Sequence, residues 1–147
     1  MTTQADYEHD FHAWAMKNAA LIRQGRFSEI DIEHIAEELE DMGASREREL
    51  ESRLGILIAH LLKWQFQPQT RSSSWRGTIK EQRRKINRLL RKNPSLKMLL
   101  AEAQSEAYGD ALALVERDTG IDESQCPTTC PFSMEQALDE GFWPEKE

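Results

Sequence analysis

Apolar residues recur at intervals of three and four along almost the whole chain, and nowhere in the strict alternation of a half-buried strand. A 3.6-residue period stacks such side chains on one face of a helix, so the chain is expected to be all-α, with each helix hiding one stripe. Gly and Pro punctuate the sequence sparsely and mark the breaks. A first helix is expected from about Asp6 to Gln24, with Tyr7, Phe11, Trp14, Ala15, Leu21 and Ile22 on one face and Gly25 as its stop. Ser28 with Asp31 resembles a capping box, and Ile32, Ile35, Ala36, Leu39 and Met42 are expected to form a buried stripe behind it. Gly43 to Ser45 reads as a kink or short turn.

The next helix, from about Arg46 to Gln67, is apolar around most of its circumference between Leu54 and Phe66, as a central, surrounded helix would be. Pro68 ends it. Ser72, Ser73 and Ser74 offer N-caps for a fourth helix to about Lys92, and Asn93-Pro94 restarts a fifth that reaches about Asp118. Ser133 can cap a short helix from about Met134 to Glu140, after which Phe142 and Trp143 lay aromatics back onto the body. The expectation is one domain over residues 1–147: a helical bundle of about five main helices plus a short C-terminal helix.

At 147 residues the chain is long enough to bury a core without disulfides or a structural metal. No apolar run approaches the roughly 18 residues of a membrane span, and the longest, Leu54 to Leu62, already contains His60. The polar N-terminus lacks a basic region followed by an apolar stretch, so a cytoplasmic location is expected. Cys126 and Cys130 have no neighbouring Cys or His to complete a zinc set and read as ordinary thiols.

The formal net charge of −7 hides a segregation. Arg71 to Lys97 holds ten Lys or Arg against Glu81 alone, leaving −16 on the rest. On a wheel of about 100° per residue, Trp75, Ile79, Gln82, Ile86, Leu89 and Leu90 face the core, while Arg76, Lys80, Arg83, Arg84, Arg88 and Arg91 form a basic face. Like charges one turn apart destabilise a helix by a few tenths of a kcal/mol per pair, so an anion is expected opposite them. One source lies within the chain, where Ser28 to Glu51 holds ten acids. The other is external, a nucleic acid or nucleotide phosphate. The stripe holds no aromatic for base stacking, and the surrounding −16 would repel a polyanion.

Asp31, His34, Glu38 and Asp41 follow one flank of the acidic helix, and a metal held by His34, Glu38 and His60 is one candidate centre, with a bound water as nucleophile. Dinuclear carboxylate bundles take Glu-x-x-His motifs from two helices, and His60 has Leu57 and Lys63 at the matching offsets, so a second motif is missing. His60 with Trp64 and Trp75 forms a candidate pocket, although a histidine inside an apolar sector more often serves as a hydrogen-bonded core residue. The serines sit where capping explains them and no Gly-rich phosphate loop occurs, so no catalytic set and no cofactor are expected.

Several strings resemble the bacterial "domain of unknown function twenty-nine" family. They are Tyr7 to Trp14, Gly25 to Gly43, His60 to Pro68, Ser74 to Arg83, Asn93 to Leu96, Cys130 to Phe132, and Phe142 to Pro144. The resemblance implies an all-helical fold and a bacterial origin, and brings no activity, cofactor or substrate. It places His60, Trp64, Trp75, Arg76, Arg83 and the Glu37 to Asp41 acids within the family pattern. The leading functional expectation is a non-enzymatic binding or regulatory module whose partner is another protein or a second copy. Phosphate binding through the basic helix and a metal-assisted hydrolase stand behind it.

Overall fold

A computed structural model describes residues 7–145, and these residues contain no strand. The all-α expectation holds. Internal contacts divide the chain into two compact units, one ending at Ser45 and the other beginning at Arg46.

In the first unit, α1 runs over Phe11–Arg23. The Asp10 carboxylate accepts the Ala13 N–H at 3.0 Å, which satisfies one of the free donors at the helix start. Residues 7–9 are helical ahead of this cap, and Asp6, the expected helix start, lies outside the described residues. Trp14, Asn18 and Leu21, at i, i+4 and i+7, are its buried residues. Gly25 closes the helix at φ +73°, a left-handed conformation that glycine reaches without steric cost, and a 3-10 turn over Phe27–Glu29 follows.

The second helix, α2, covers Ile32–Phe66 without interruption. Two expected helices are therefore one. Gly43 costs a helix interior only about 1 kcal/mol relative to Ala, and the Ala-, Arg- and Glu-rich residues after it are strong helix formers. Asp31 supplies the cap in place of the expected Ser28: its carbonyl accepts from Ile35 at 3.0 Å and its carboxylate from the His34 N–H at 3.4 Å.

The stripe expected to be buried behind Ser28 is largely exposed. Ile32, Leu39 and Met42 are 62%, 60% and 58% exposed, Ala36 is exposed, and Ile35 is only half-buried. The other flank of the helix, carrying Asp31, His34 and Glu38, packs against α1 instead.

From Arg46 onward the second unit contains the remainder of α2, then α3 (Ser73–Lys92), α4 (Leu100–Thr119) and the short α5 (Met134–Leu138). Ser72 caps α3, Gly120 ends α4 at φ +77°, and Ser133 with Gln136 forms the capping box of α5. All the buried hydrophobics of the described residues except Trp14 and Leu21 belong to this unit. Leu54, Leu57, Ile58, Leu61 and Leu62 on α2 meet Ile79, Ile86 and Leu90 on α3 and Ala107, Ala111 and Val115 on α4 in one cluster. The α2 segment is thus the surrounded helix that its composition implies. At Gly55 the α2 backbone passes α4 at a distance where a Cβ would make ordinary van der Waals contact, 3.6 Å from the Ala107 carbonyl oxygen.

Candidate functional site

The acidic flank of α2 becomes an ordered cluster in the first unit. Asp31 is its hub. One carboxylate oxygen accepts from the Trp14 indole at 2.9 Å and lies 2.8 Å from His34 Nδ1, while its backbone N–H donates to Asn18 at 2.8 Å. Burial pushes the Asp31 pKa upward, but the hydrogen bonds from Trp14 and His34 outweigh it together, so the carboxyl titrates below its ordinary value. Tyr7 stacks on His34 with ring centroids 4.0 Å apart, and its hydroxyl donates to Glu38 at 2.5 Å. That bond and its charge hold the phenol protonated up to about 12. Aromatic and hydrogen-bond contacts join α1 to α2 here, and the apolar seam of α2 is left to solvent.

Ile32, Ile35, Leu39 and Met42 lie at i, i+3, i+7 and i+10, the spacing of a coiled-coil seam. Phe11, Met16, Ile22 and Phe27 are exposed in the same unit, so it holds every large exposed hydrophobic of the described residues except Met98. The chain up to Ser45 has ten acids against Lys17, Arg23 and Arg26, and so carries the entire formal −7.

In the second unit, sixteen acids and sixteen bases cancel from Arg46 onward, yet the bases gather on α3. Among the described residues Lys80, Arg84, Arg88, Arg91 and Lys92 have no ion-pair or hydrogen-bond partner, whereas Lys85 pairs with Glu81 at 2.7 Å. Lys80, Arg84, Arg88 and Arg91 are exposed.

Arg83 is different: fully buried, it donates through Nε to the Ala137 carbonyl at 2.8 Å and through Nη2 to the Phe142 carbonyl at 2.7 Å. Burial draws its pKa below the usual value, while Asp139 and Glu140 oppose that shift. Its Nη1 is buried and has no partner. The guanidinium also lies 5.4 Å from the centre of the Trp143 ring, as Arg76 does at 4.9 Å. Arg76 and Arg71 in turn flank Trp64 at 5.1 and 4.8 Å, and Trp64 meets Trp143 at 4.8 Å. Three arginines and two tryptophans thereby interleave, a cation–π clamp on the segment after α5.

The other expected site residues make contacts of their own. His60 is half-buried with Nδ1 2.8 Å from the Ile56 carbonyl oxygen, and burial lowers its pKa below the ordinary 6.5. Trp64 belongs to the clamp, and Trp75 is half-buried with the Lys63 ammonium 5.1 Å from its ring centre. Lys63, itself buried, pairs with Asp118 at 3.0 Å. His34 and Glu38 belong to the first unit and His60 to the second. Among the described residues no group of three or more His, Cys, Asp or Glu is placed to hold a metal ion.

Sequence reasoning missed Trp14 and Asn18 as partners of Asp31, Tyr7 as the partner of Glu38 and His34, and Arg71 and Trp143 as members of the clamp. The i, i+3 spacing of Asp31 and His34 was a legible signal for part of the first cluster. The rest depends on contacts between distant segments.

A family model described as "Domain of unknown function DUF29" matches residues 7–143. The chain belongs to this family. No curated protein and no solved structure matches it. Many of the strings that resemble the family converge on these clusters: Tyr7 to Trp14 and Gly25 to Gly43 build the Asp31 hub, while His60 to Pro68, Ser74 to Arg83 and Phe142 to Pro144 supply Trp64, Arg76, Arg83 and Trp143 to the clamp. Among the described residues no helix is long and apolar enough to cross a membrane.

Proposed function

We propose that this DUF29 chain is a non-enzymatic binding module that docks an amphipathic helix of a partner protein along the α2 seam of its first unit. The observation that carries the reading is the exposure of Ile32, Leu39 and Met42 on one helical stripe. A surface helix normally turns such a stripe inward, and knobs at this spacing fit the holes of another helix. Exposed apolar residues gathered in one region mark interaction surfaces.

Asp31 and Glu38 take one flank of the seam and the small Ala36 and Gly43 the other, no Lys or Arg lies between Ile32 and Ser45, and the unit carries −7, so the fitting partner helix has Lys or Arg on its flanks. The same charge disfavours a second copy, since each first unit would bring −7 to the contact. The two free cysteines fit a reducing, cytoplasmic setting.

Binding of a labelled Leu/Lys amphipathic helical peptide tests the reading, with a Leu/Glu peptide of the same pattern as the control. The Lys peptide is expected to bind the wild type, and the double variant Leu39→Lys, Met42→Lys to lose it by at least about tenfold. Equal binding of both peptides, or retention by the double variant, would refute the assignment. Light scattering separates self-association from it: a dimer that dissociates in the double variant would make a second copy the occupant.

A further inference from the structure

The unpaired cations of α3 line a trough. One cleft of about 510 Å³ is bordered by Gly77, Lys80, Glu81, Arg83, Arg84 and Glu140. A second, of about 260 Å³, is bordered by Arg84, Asn87, Leu90, Arg91, Lys97 and Glu140. They share Arg84 and Glu140, so together they follow α3 from Gly77 to Arg91, about 21 Å at 1.5 Å per residue. On the helical wheel Lys80, Arg84, Asn87 and Arg91 fall within about 60° of one another, a single file with a polar or cationic group on nearly every turn.

We propose that this trough binds a linear phosphate chain, the backbone of a single-stranded nucleic acid or an inorganic polyphosphate. Three features select that chemistry. The cations Lys80, Arg84, Arg91 and Lys97 have no partner of their own among the described residues, so a ligand displaces no internal ion pair. Arg83 borders the trough with a buried, unpartnered Nη1, and its charge has no carboxylate within ion-pair distance among the described residues. The trough also lacks the exposed apolar anchors on which protein interfaces depend, since Leu90 is buried and Met98, the large exposed hydrophobic among the described residues of this unit, lies outside the trough. Recognition here rests on charge along a line, which is how a phosphate backbone is held.

Glu140, at the junction of the two clefts, opposes such a ligand. Its removal therefore gives a signature that a generally sticky cation would not give.

The test is fluorescence anisotropy with a labelled oligo-dT of about a dozen nucleotides, with inorganic polyphosphate and poly-glutamate as competitors. Binding is expected to weaken with salt at a log–log slope of about −3, four displaced counterions at 0.7 each. The triple variant Lys80→Gln, Arg84→Gln, Arg91→Gln is expected to lose affinity at least about tenfold and to flatten that slope by about two. Glu140→Gln is expected to tighten binding several-fold, while Glu102→Gln, on α4 outside the trough, leaves it unchanged. All these side chains are exposed, so the fold is retained.

Competition by polyphosphate at or below the oligonucleotide's own concentration makes polyphosphate the source, and much weaker competition makes it a nucleic acid. No binding at low salt would overturn the proposal, as would competition by poly-glutamate as strong as that by polyphosphate, or binding unchanged in the triple variant. The seam variant Leu39→Lys, Met42→Lys is expected to bind the oligonucleotide as the wild type does, which keeps this outcome separate from the helix-docking reading.

Discussion

The two units of this chain spend the same kind of sequence, amphipathic helix, in opposite ways. The second unit turns its apolar residues inward, where α2, α3 and α4 share one cluster, and leaves unpaired cations outside. The first buries little beyond Trp14, Asn18 and Leu21, and joins its helices through Asp31, His34, Tyr7 and Glu38 while its α2 seam faces water. Helical period identifies a face, and only the contacts decide whether that face becomes core or surface. A unit held by hydrogen bonds and ring stacking can keep an apolar stripe free for a partner.

Cutting the same residue type in both units is the sharpest way to break this comparison. Leu61→Ala, in the second-unit core, is expected to cost about 2–5 kcal/mol in urea unfolding, because it opens a cavity among close-packed neighbours. Leu39→Ala removes the same atoms from an exposed seam and is expected to stay within about 0.5 kcal/mol. Comparable losses would mean that the seam is covered.

Arg83→Met is expected to cost about 3 kcal/mol, since two carbonyls lose charge-assisted donors and Trp143 loses one of its two cation–π partners. Trp143 emission should respond to this change, and an unaltered unfolding midpoint would remove the clamp from the account. In the first unit, Asp31→Ala takes away a helix cap and the Trp14 and His34 contacts. A loss of about 1–2 kcal/mol is expected, localised by hydrogen exchange to α1 and the start of α2.

The smallest expected effect is a pH dependence in the second unit. The folded-state pKa of His60 lies below 6.5, so between that lowered value and 6.5 the unfolded chain binds more protons than the folded one. Stability contributed by the neutral ring is therefore present above 6.5 and lost as pH falls through that window. His60→Gln should flatten the unfolding midpoint measured from pH 7 to pH 5, and a wild-type midpoint that rises on acidification would contradict the burial of the ring.

Much of the fold was legible in the sequence. The wheel of α3 put Ile79, Gln82, Ile86, Leu89 and Leu90 inside, where they are, because a 20-residue helix with a strong polar face has one way to lie on a core. Arg83 was assigned to the basic face, although its direction is only about 40° from that of Ile79. Its carbonyl partners lie 54 and 59 residues downstream, where no local pattern could point. The seam of α2 was read as core because its spacing is that of a core stripe, and nothing in spacing says what covers it. The spacing places Asp31, His34 and Glu38 on one flank, while Tyr7 and Trp14, which turn that flank into a helix-to-helix joint, come from a different helical segment.

Hydroxyl-radical footprinting of the free chain tests the central claim most directly, because it reads the accessibility of each side chain in solution. The account predicts that, normalised to the intrinsic reactivity of each residue type, Ile32, Leu39 and Met42 are modified at rates near that of Met98, far above those of Leu57, Ile58 and Leu61. Protection of the seam equal to that of these core residues would contradict it.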